Sequence, residues 1–340
     1  MVTTWNLSTK NGSTPYEQAF DLRGYGLYRA YGSAASKALG LPFEIGGRDA
    51  EKLKYLAEQL QVSYRVFSAN AEAALALPGI TVLLNFAGPF VRTADPLIHA
   101  CITAGVDYLD ITAEINTYRL AEKLGADAMA SNVMLLPGVG WDVVPTDGLS
   151  VHVARRVETP MALRIGLQVP GSMSRGSAMS ASEIVGAGVL ARIDNELVPV
   201  PDAPSRYFDF GDGPVLCAPL SFGDLVTAWY STGVPDISMY VHVTGDAFPT
   251  GDLSLLPDGP TAAERDSHQA RAVAEITGID GNTARSVIET VNGYTYTALS
   301  AIEAVRRVLI GDRQSGFQTP ARVFGSDFAK SIAGTAITDY

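Results

Sequence analysis

The chain has 340 residues, of which 47% are hydrophobic and 18% are charged, and its formal net charge is −11. This length allows two domains or one large α/β unit with a sizeable core, and the acidic balance disfavours nucleic acid as a partner. Two cysteines are too few for a disulfide framework, and no apolar run reaches the ~20 residues that span a bilayer. The N-terminus also lacks the pattern of a signal peptide, so we expect a cytoplasmic protein with no membrane partner.

The first half of the chain alternates apolar runs with amphipathic segments. This β-α-β-α-β order is typical of a doubly wound parallel sheet. Residues 1–18 are polar and are expected to be disordered or poorly packed. Asp49 is expected to cap a helix over Ala50–Leu60. The most apolar strands are predicted within Thr81–Phe90, Val106–Glu114 and Val133–Asp147.

From Met161 the pattern changes to short alternating strands, which predicts a mixed or antiparallel sheet. Its strands are expected at 163–169, 196–199, 206–210, 215–219, 238–244 and 285–291. An amphipathic helix is predicted over Tyr296–Ile310. The fold class is therefore α/β, with a Rossmann-like sheet over 19–150, completed by 296–340. A mixed α/β domain for substrate binding or dimerisation is expected over 151–295, so a homodimer is one possibility.

Polar residues follow the predicted parallel strands at the ends where such sheets bind ligands. Asp110, Thr112 and Glu114 share one face, so they could bind a substrate amine or orient water. The alternative is that Thr112 or Glu114 caps the following helix. We take Asp110 as a candidate catalytic residue and Thr112 as a candidate substrate contact.

The next loop contains Trp141 and Asp142, which could line a substrate pocket and carry catalysis. The alternative is a packed Trp141 with a capping Asp142. Further along the same segment, Thr146 or Asp147 is predicted to be a plain N-cap.

A Gly/Ser loop opens the helix that follows Ser174, and such helix starts can bind anions. Ser174 and Arg175 are therefore candidate substrate contacts, with Arg175 either holding a carboxylate or remaining solvated. Tyr294 and Tyr296 are predicted to pack against the sheet, and the alternative is that either one donates a proton. The four histidines have no metal-ligand spacing, so no metal site is predicted.

Several motifs in order carry a family resemblance, namely Gly47–Asp49, Asn85–Pro89, Tyr108–Thr112, Pro137–Asp147, Asp209–Gly211, Thr297–Leu299 and Gly316–Pro320. On these motifs the chain resembles the saccharopine dehydrogenase-like family from about Gly40 to Ala333. The resemblance implies an NAD(P)-dependent oxidoreductase with a central inserted domain. It also implies hydride transfer with a small carbonyl, imine or enoyl substrate.

The cofactor residues come from the same motifs. An arginine such as Arg48 after the second strand accommodates the 2′-phosphate of NADP, which favours NADP and leaves NAD possible. The alternative for Arg48 is a solvated turn residue. The loop residues Asn85, Ala87, Gly88 and Pro89 are expected to contact the nicotinamide ribose, or else to form an ordinary turn.

The glycine loop departs from the family form G-A-x-G-x-x-G. Its three glycine positions fall on Arg23, Gly26 and Arg29. Gly24 and Gly26 remain candidates for approach to the pyrophosphate. One hypothesis is that no dinucleotide binds, which would make the protein a cofactor-free lyase, isomerase or cyclase, or a non-catalytic binding protein.

A second hypothesis is that residues up to about Leu39 are a frame-shifted reading of a family gene. Codons for Leu22–Ala30, read one nucleotide later, permit Tyr-Gly-Ala-Thr-Gly-Tyr-Thr-Gly. Genomic DNA whose codons do not spell that loop would exclude this explanation.

Overall fold

The structure is a computed structural model that describes residues 2–5, 40–169, 173–243, 252, 256–257 and 259–340. The strands are β1 (Val2–Trp5), β2 (Phe43–Gly47), β3 (Ser63–Val66), β4 (Val82–Asn85), β5 (Asp107–Asp110), β6 (Met134–Leu136), β7 (Pro160–Val169), β8 (Leu190–Ile193), β9 (Glu196–Pro199), β10 (Arg206–Asp209), β11 (Pro214–Pro219), β12 (Asp236–Val243), β13 (Ala270–Gly278), β14 (Thr283–Thr290), β15 (Gly316–Phe317) and β16 (Ala336–Asp339). The helices are α1 (Ala50–Leu60), α2 (Phe90–Ala104), α3 (Ile115–Lys123), α4 (Gly125–Ala130), α5 (Val144–Ala154), α6 (Arg175–Gly186), α7 (Asp224–Thr232), α8 (Ala262–Asp266), α9 (Gly293–Leu309) and α10 (Pro320–Phe324). Short 3₁₀ helices span Ala73–Ala76 and Ser326–Ser331.

The first domain is a seven-stranded sheet with the order β15-β6-β5-β4-β1-β2-β3. β2 and β3 are parallel, as are β4, β5, β6 and β15. All four residues of β4 and all four of β5 are buried, as expected for parallel strands covered on both faces. The predicted Rossmann-type α/β fold is confirmed.

The central strand β1 runs antiparallel to both of its neighbours. Val2 pairs with Gly46 and Asn85, whereas Trp5 pairs with Phe43 and Val82. This corrects the prediction of a poorly packed N-terminus for residues 2–5. Val and Thr favour extended backbone, and the backbone of β2 and β4 offers hydrogen bonds on both sides. The rest of the predicted N-terminal segment lies outside the described residues.

Local signals were accurate around α1. Asp49 is the N-cap, and its Oδ1 accepts a hydrogen bond of 3.0 Å from the Lys52 amide. Leu53, Leu56 and Leu60 face the core, which satisfies the apolar period of an amphipathic helix. The predicted helix bounds are confirmed.

The second domain is a nine-stranded mixed sheet whose main order is β10-β11-β12-β7-β13-β14-β16. β7 and β12 are parallel, while β13 is antiparallel to both β7 and β14. α5 packs against β13 and β14, so the chain has already entered this domain before β7 begins.

The C-terminal segment serves both domains. β15 extends the first sheet, and Arg313 makes a bidentate ion pair with the buried Asp107 at the start of β5, with N–O distances of 2.6 and 2.8 Å. β16, however, pairs with β14 in the second sheet. The prediction that residues 296–340 complete the first domain is therefore wrong for residues 336–339. These residues form hydrogen bonds with the outer side of β14 in the second sheet.

Candidate functional site

A cavity of about 340 Å³ lies where the carboxyl ends of β4, β5 and β6 face the second domain. The first domain contributes Phe86, Gly88, Phe90, Ile111, Trp141 and Asp142. The second contributes residues from the end of β7, α6, the segment before α7, and β12. The start of α9 closes the set with Asn292, Tyr294 and Thr297. The ends of the predicted parallel strands thus meet at this cavity.

Asn85, at the end of β4, is fully buried and does not line the cavity. Its Nδ2 donates to Thr93 Oγ1 and Tyr108 OH, both at 3.2 Å, and its Oδ1 accepts from the Ala87 amide at 2.8 Å. We therefore revise its predicted cofactor contact: Asn85 shapes the loop from within. Gly88 is the residue of this loop that lines the cavity, with Ala87 and Pro89 beside it.

Glu114 caps the N-terminus of α2. Its Oε1 accepts from the Phe90 amide at 2.9 Å and from Ser180 Oγ at 2.7 Å, and its Oε2 accepts from the Val91 amide at 2.7 Å. A carboxylate at this helix end also stabilises the macrodipole. Glu114 thus joins the two domains just behind the cavity wall, through α2 on one side and α6 on the other.

Asp110 is fully buried at the end of β5 and is satisfied by three donors. Its Oδ1 accepts from the amides of Thr112 at 3.0 Å and Gly138 at 2.9 Å, and its Oδ2 accepts from Tyr108 OH at 2.8 Å. Burial raises the pKa of Asp110 to about 6, against the lowering effect of these hydrogen bonds. Because it does not line the cavity, we revise its predicted catalytic role to that of fixing the loops after β5 and β6.

Thr112, the predicted substrate contact, is not among the residues that line the cavity. It is buried outside the cavity, and its Oγ1 accepts from the Glu114 amide at 3.0 Å. Its carbonyl accepts a hydrogen bond of 2.5 Å from Tyr118 OH. Of the two alternatives that the sequence left open, local capping at the start of α3 describes Thr112.

Trp141 and Asp142 do line the cavity. The Trp141 amide donates to Thr297 Oγ1 at 3.0 Å and its Nε1 donates to Thr290 Oγ1 at 2.9 Å, so the indole is held from α9 and from β14. Asp142 is half-buried, and burial raises the pKa of its carboxyl to about 6. A carboxyl that titrates near neutrality can both donate and accept a proton.

The residues after Asp142 do not cap a helix as predicted, because α5 already begins at Val144. Thr146 Oγ1 donates to the carbonyls of Asp142 and Val143, and Asp147 Oδ2 accepts from the Ala321 amide at 2.8 Å. The Thr146 side chain thus bonds to carbonyls that precede it in the chain, and the Asp147 side chain bonds to α10. The first turn of α5 is therefore fixed by tertiary contacts.

Asp224, in the first turn of α7, is wholly buried, and neither of its carboxyl oxygens has a hydrogen-bond partner in the described part of the chain. Burial raises its pKa well above 3.8, with Asp147 and Asp142 adding to the increase. The folded state therefore holds a proton that the unfolded state releases, and the free energy of unfolding falls as the pH rises above the usual carboxyl range.

We expect Asp224→Asn to raise the free energy of unfolding at pH 7, because the amide cannot ionise in the unfolded state. Urea denaturation at pH 4 and at pH 7 measures the free energy of unfolding. The difference between the two pH values should be smaller for the variant than for the parent protein. The exposed Asp312→Asn is the matched control and should leave both values unchanged. A variant that is less stable than the parent at pH 7 would contradict the assignment.

The N-terminus of α6 is less open to anions than predicted. Ser174 is its N-cap and accepts from the Ser177 amide at 3.0 Å, while the Arg175 amide donates to the Pro257 carbonyl at 2.9 Å. Tyr294 OH accepts from the Ser174 amide at 2.7 Å and lies 3.1 Å from Ser177 Oγ. Ser174, Arg175 and Tyr294 all line the cavity, so Tyr294 is a site residue rather than a sheet-packing one.

Curated proteins resemble part of the chain. A trans-acting enoyl reductase of Mycobacterium tuberculosis is 29% identical over 150 residues, covering 39% of this chain and 35% of that protein. A saccharopine dehydrogenase-like oxidoreductase of Homo sapiens is 27% identical over 121 residues, covering 32% of this chain and 28% of that protein. The predicted resemblance to the saccharopine dehydrogenase-like proteins is confirmed. The chain spans about a third of the length of these curated relatives. No family model matches the chain.

One solved structure shares the fold over nearly the whole chain. Apo saccharopine dehydrogenase (L-Glu forming) from Saccharomyces cerevisiae superposes with a TM-score of 0.61, covering 93% of this chain and 97% of that one. The two are 12% identical, so this likeness shows the fold alone.

Rossmann-type sheets can bind a dinucleotide across the carboxyl ends of their strands, and the described residues can be compared with each half of such a site. In one half, Gly88 lines the cavity and the exposed Arg48 directly follows β2. The other half differs, because the central strand of a Rossmann sheet leads from its carboxyl end into the glycine loop. Here the carboxyl end of β1, at Trp5, pairs with Val82, the first residue of β4. It therefore lies on the side of the sheet where the parallel strands begin, opposite to the cavity. Gly24 and Gly26 lie outside the described residues.

Sequence reasoning missed the apolar members of the site. These are Phe86, Phe90, Met173, Met179, Leu220 and Phe222. Each resembles an ordinary core residue in sequence, and no local signal separates a cavity wall from a core. In the described part of the chain, no helix is long and apolar enough to cross a membrane, and no group of three or more His, Cys, Asp or Glu residues could hold a metal ion.

Proposed function

We propose that the protein is an NADP-dependent oxidoreductase that reduces a small carbonyl, imine or enoyl compound in the cavity between the two domains. The observation that carries this proposal is Asp142, a half-buried carboxyl in the cavity at the carboxyl edge of a Rossmann-type sheet, with a pKa near 6. The curated relatives are named as reductases and oxidoreductases, which supports the same reaction class.

Each group has a defined task in this proposal. The nicotinamide supplies the hydride when it is bound. Asp142 holds the proton that the reduced substrate takes up. Trp141, fixed by Thr290 and Thr297, forms an immobile wall that positions the substrate beside Asp142. Phe86, Phe90 and Phe222 exclude water from the reacting atoms.

The test of the proposal is NADPH binding to the purified chain, measured by fluorescence titration and thermal shift with NADH alongside. A ligand at a hundredfold excess over its dissociation constant stabilises the native state by about 2.7 kcal/mol. We expect this stabilisation with NADPH and a smaller one with NADH. No shift with either nucleotide in a well-folded protein would exclude the oxidoreductase.

The choice of NADP rests on Arg48, which leads to a separate expectation. Arg48→Ala should weaken NADPH binding about 10- to 100-fold, because the guanidinium pairs with the 2′-phosphate, and should leave NADH binding unchanged. Arg119→Ala, an equally exposed arginine on α3, is the matched control. Equal losses for NADPH and NADH would argue against a 2′-phosphate contact.

The direction of β1 favours a second candidate. Because this strand does not lead its carboxyl end to the cofactor edge, a cofactor-free lyase, isomerase or cyclase could use the same cavity, with Asp142 as acid and base. A non-catalytic binding protein would use the cavity without that chemistry. The nucleotide titration separates both from the oxidoreductase.

A further inference from the structure

We propose that the substrate of this cavity is an uncharged compound with an apolar chain, rather than an amino acid or a polar acid. This inference rests on the proposed function for the position of the reacting group. It rests on the cavity wall for the rest of the molecule.

The wall of the cavity is predominantly apolar and is built by both domains. Phe86, Phe90, Ile111 and Trp141 come from the strand ends of the first domain. Val169, Met173, Met179, Ile184, Phe222 and Val241 come from the second. Apolar surface of this extent gains free energy from a ligand only when the ligand removes it from water. Methionine side chains also adapt their shape to a flexible chain.

The described part of the cavity wall carries little charge. Among the described residues that line it, the charged ones are Asp142 and Arg175. Arg175 already has a contact within the protein, and Asp142 holds the proton for reduction. The amides of Arg175 and Ser177 at the start of α6 are taken by the Pro257 carbonyl and by Ser174 Oγ. A zwitterionic amino acid would bury an ammonium and a carboxylate here without sufficient partners, which is unfavourable.

The remaining polar groups suit a single neutral oxygen. At the cavity surface Ser177 Oγ accepts from Tyr294 OH at 3.1 Å and from Ser174 Oγ at 3.0 Å, so its own hydroxyl proton can donate to a carbonyl without requiring a charge on the ligand. At about 340 Å³, the cavity is at the small end of ligand sites, which run from about 300 to 1,000 Å³.

The test is calorimetric binding of three probes to the intact chain, with and without NADP⁺. The probes are the N-acetylcysteamine thioesters of trans-2-butenoic and trans-2-octenoic acid, and L-glutamate. Each buried methylene contributes about a fourfold gain, so we expect the octenoyl probe to bind at least about 20-fold more tightly than the butenoyl probe. L-glutamate should bind more weakly than both.

Met179→Glu places a charge in the wall at a position that is 36% exposed, so folding is preserved. We expect it to weaken the octenoyl probe at least about tenfold and the butenoyl probe by less than about threefold. Met129→Glu on α4, at a position that is 61% exposed and away from the cavity, is the matched control and should change neither affinity.

Equal affinity for the two thioesters, or tighter binding of L-glutamate, would overturn the inference. So would an unchanged octenoyl affinity in Met179→Glu. Chain-length dependence without any NADPH binding would retain the apolar substrate and reject the oxidoreductase. NADPH binding with a preference for L-glutamate would retain the oxidoreductase and reject the apolar substrate.

Discussion

Replacement of Asp142 by Asn should lower kcat/KM for reduction by roughly 10²- to 10⁴-fold, the range for loss of a positioned general acid. The carboxyl lines the cavity, and burial raises its pKa from 3.8 to about 6. A proton donor must be protonated, so reduction by the parent protein should slow about tenfold per pH unit above pH 6. The variant cannot ionise and should lose that inflection.

The measurement is steady-state NADPH oxidation from pH 5 to pH 8, with the NADPH dissociation constant determined in parallel. Asn has nearly the same shape as Asp, so nucleotide binding should stay within about twofold, which separates a loss of chemistry from a loss of fold. Asp110→Asn is the matched control, because that carboxyl has a similarly raised pKa but lies outside the cavity. It should keep the inflection near pH 6. If Asp142→Asn also keeps it, Asp142 is not the acid.

Replacement of Glu114 by Ala should lower the free energy of unfolding by about 3–5 kcal/mol. The carboxylate accepts hydrogen bonds from the Phe90 and Val91 amides and from Ser180 Oγ, and it is 3% exposed. Alanine leaves these donors unpaired and removes the negative charge from the N-terminus of α2. Because Phe90 and Ser180 line the cavity, ligand binding should weaken as well.

Urea denaturation followed by circular dichroism measures the effect, and two milder variants give it a scale. Ser180→Ala removes one of the three donors and should have an effect of about 1 kcal/mol. Glu114→Gln keeps the shape but turns an amide group toward a backbone N–H, so its effect should be intermediate. An effect of Glu114→Ala that does not exceed that of Ser180→Ala would show that the cap is not required.

The parts of the fold that depend only on residues close together in the sequence could be predicted. Asp49 and the apolar period that follows it define α1, because a cap and one helix face are properties of a short segment. β13 was missed, although it lies between β7 and β14 in the second sheet. Its polar Arg271 is satisfied across the sheet by Glu289 on β14, at 2.6 Å, and no local pattern shows such a distant partner.

The candidate site shows the same limit. The ends of the parallel strands could be located, and Trp141, Asp142, Ser174 and Arg175 do line one cavity. Alternation along β5 shows that Asp110 and Thr112 share a face, but not that this face is internal. A sheet covered on both sides has no solvent face, so a polar residue at a strand end can serve a neighbouring loop instead of a ligand. Asn85 and Asp110 do so, and their partners lie in other segments of the chain.

The position of β1 has a consequence for aggregation. Among the described strands of the first sheet, β1 is the one that joins the β2–β3 pair to the β4–β5–β6–β15 group, through four residues on each side. If those four residues detach, two neighbouring strands lose their pairing at once, and the edge of the fully buried β4 becomes available to another chain. A transient opening of the N-terminus would therefore expose a template for strand exchange between molecules, well before the rest of either domain unfolds.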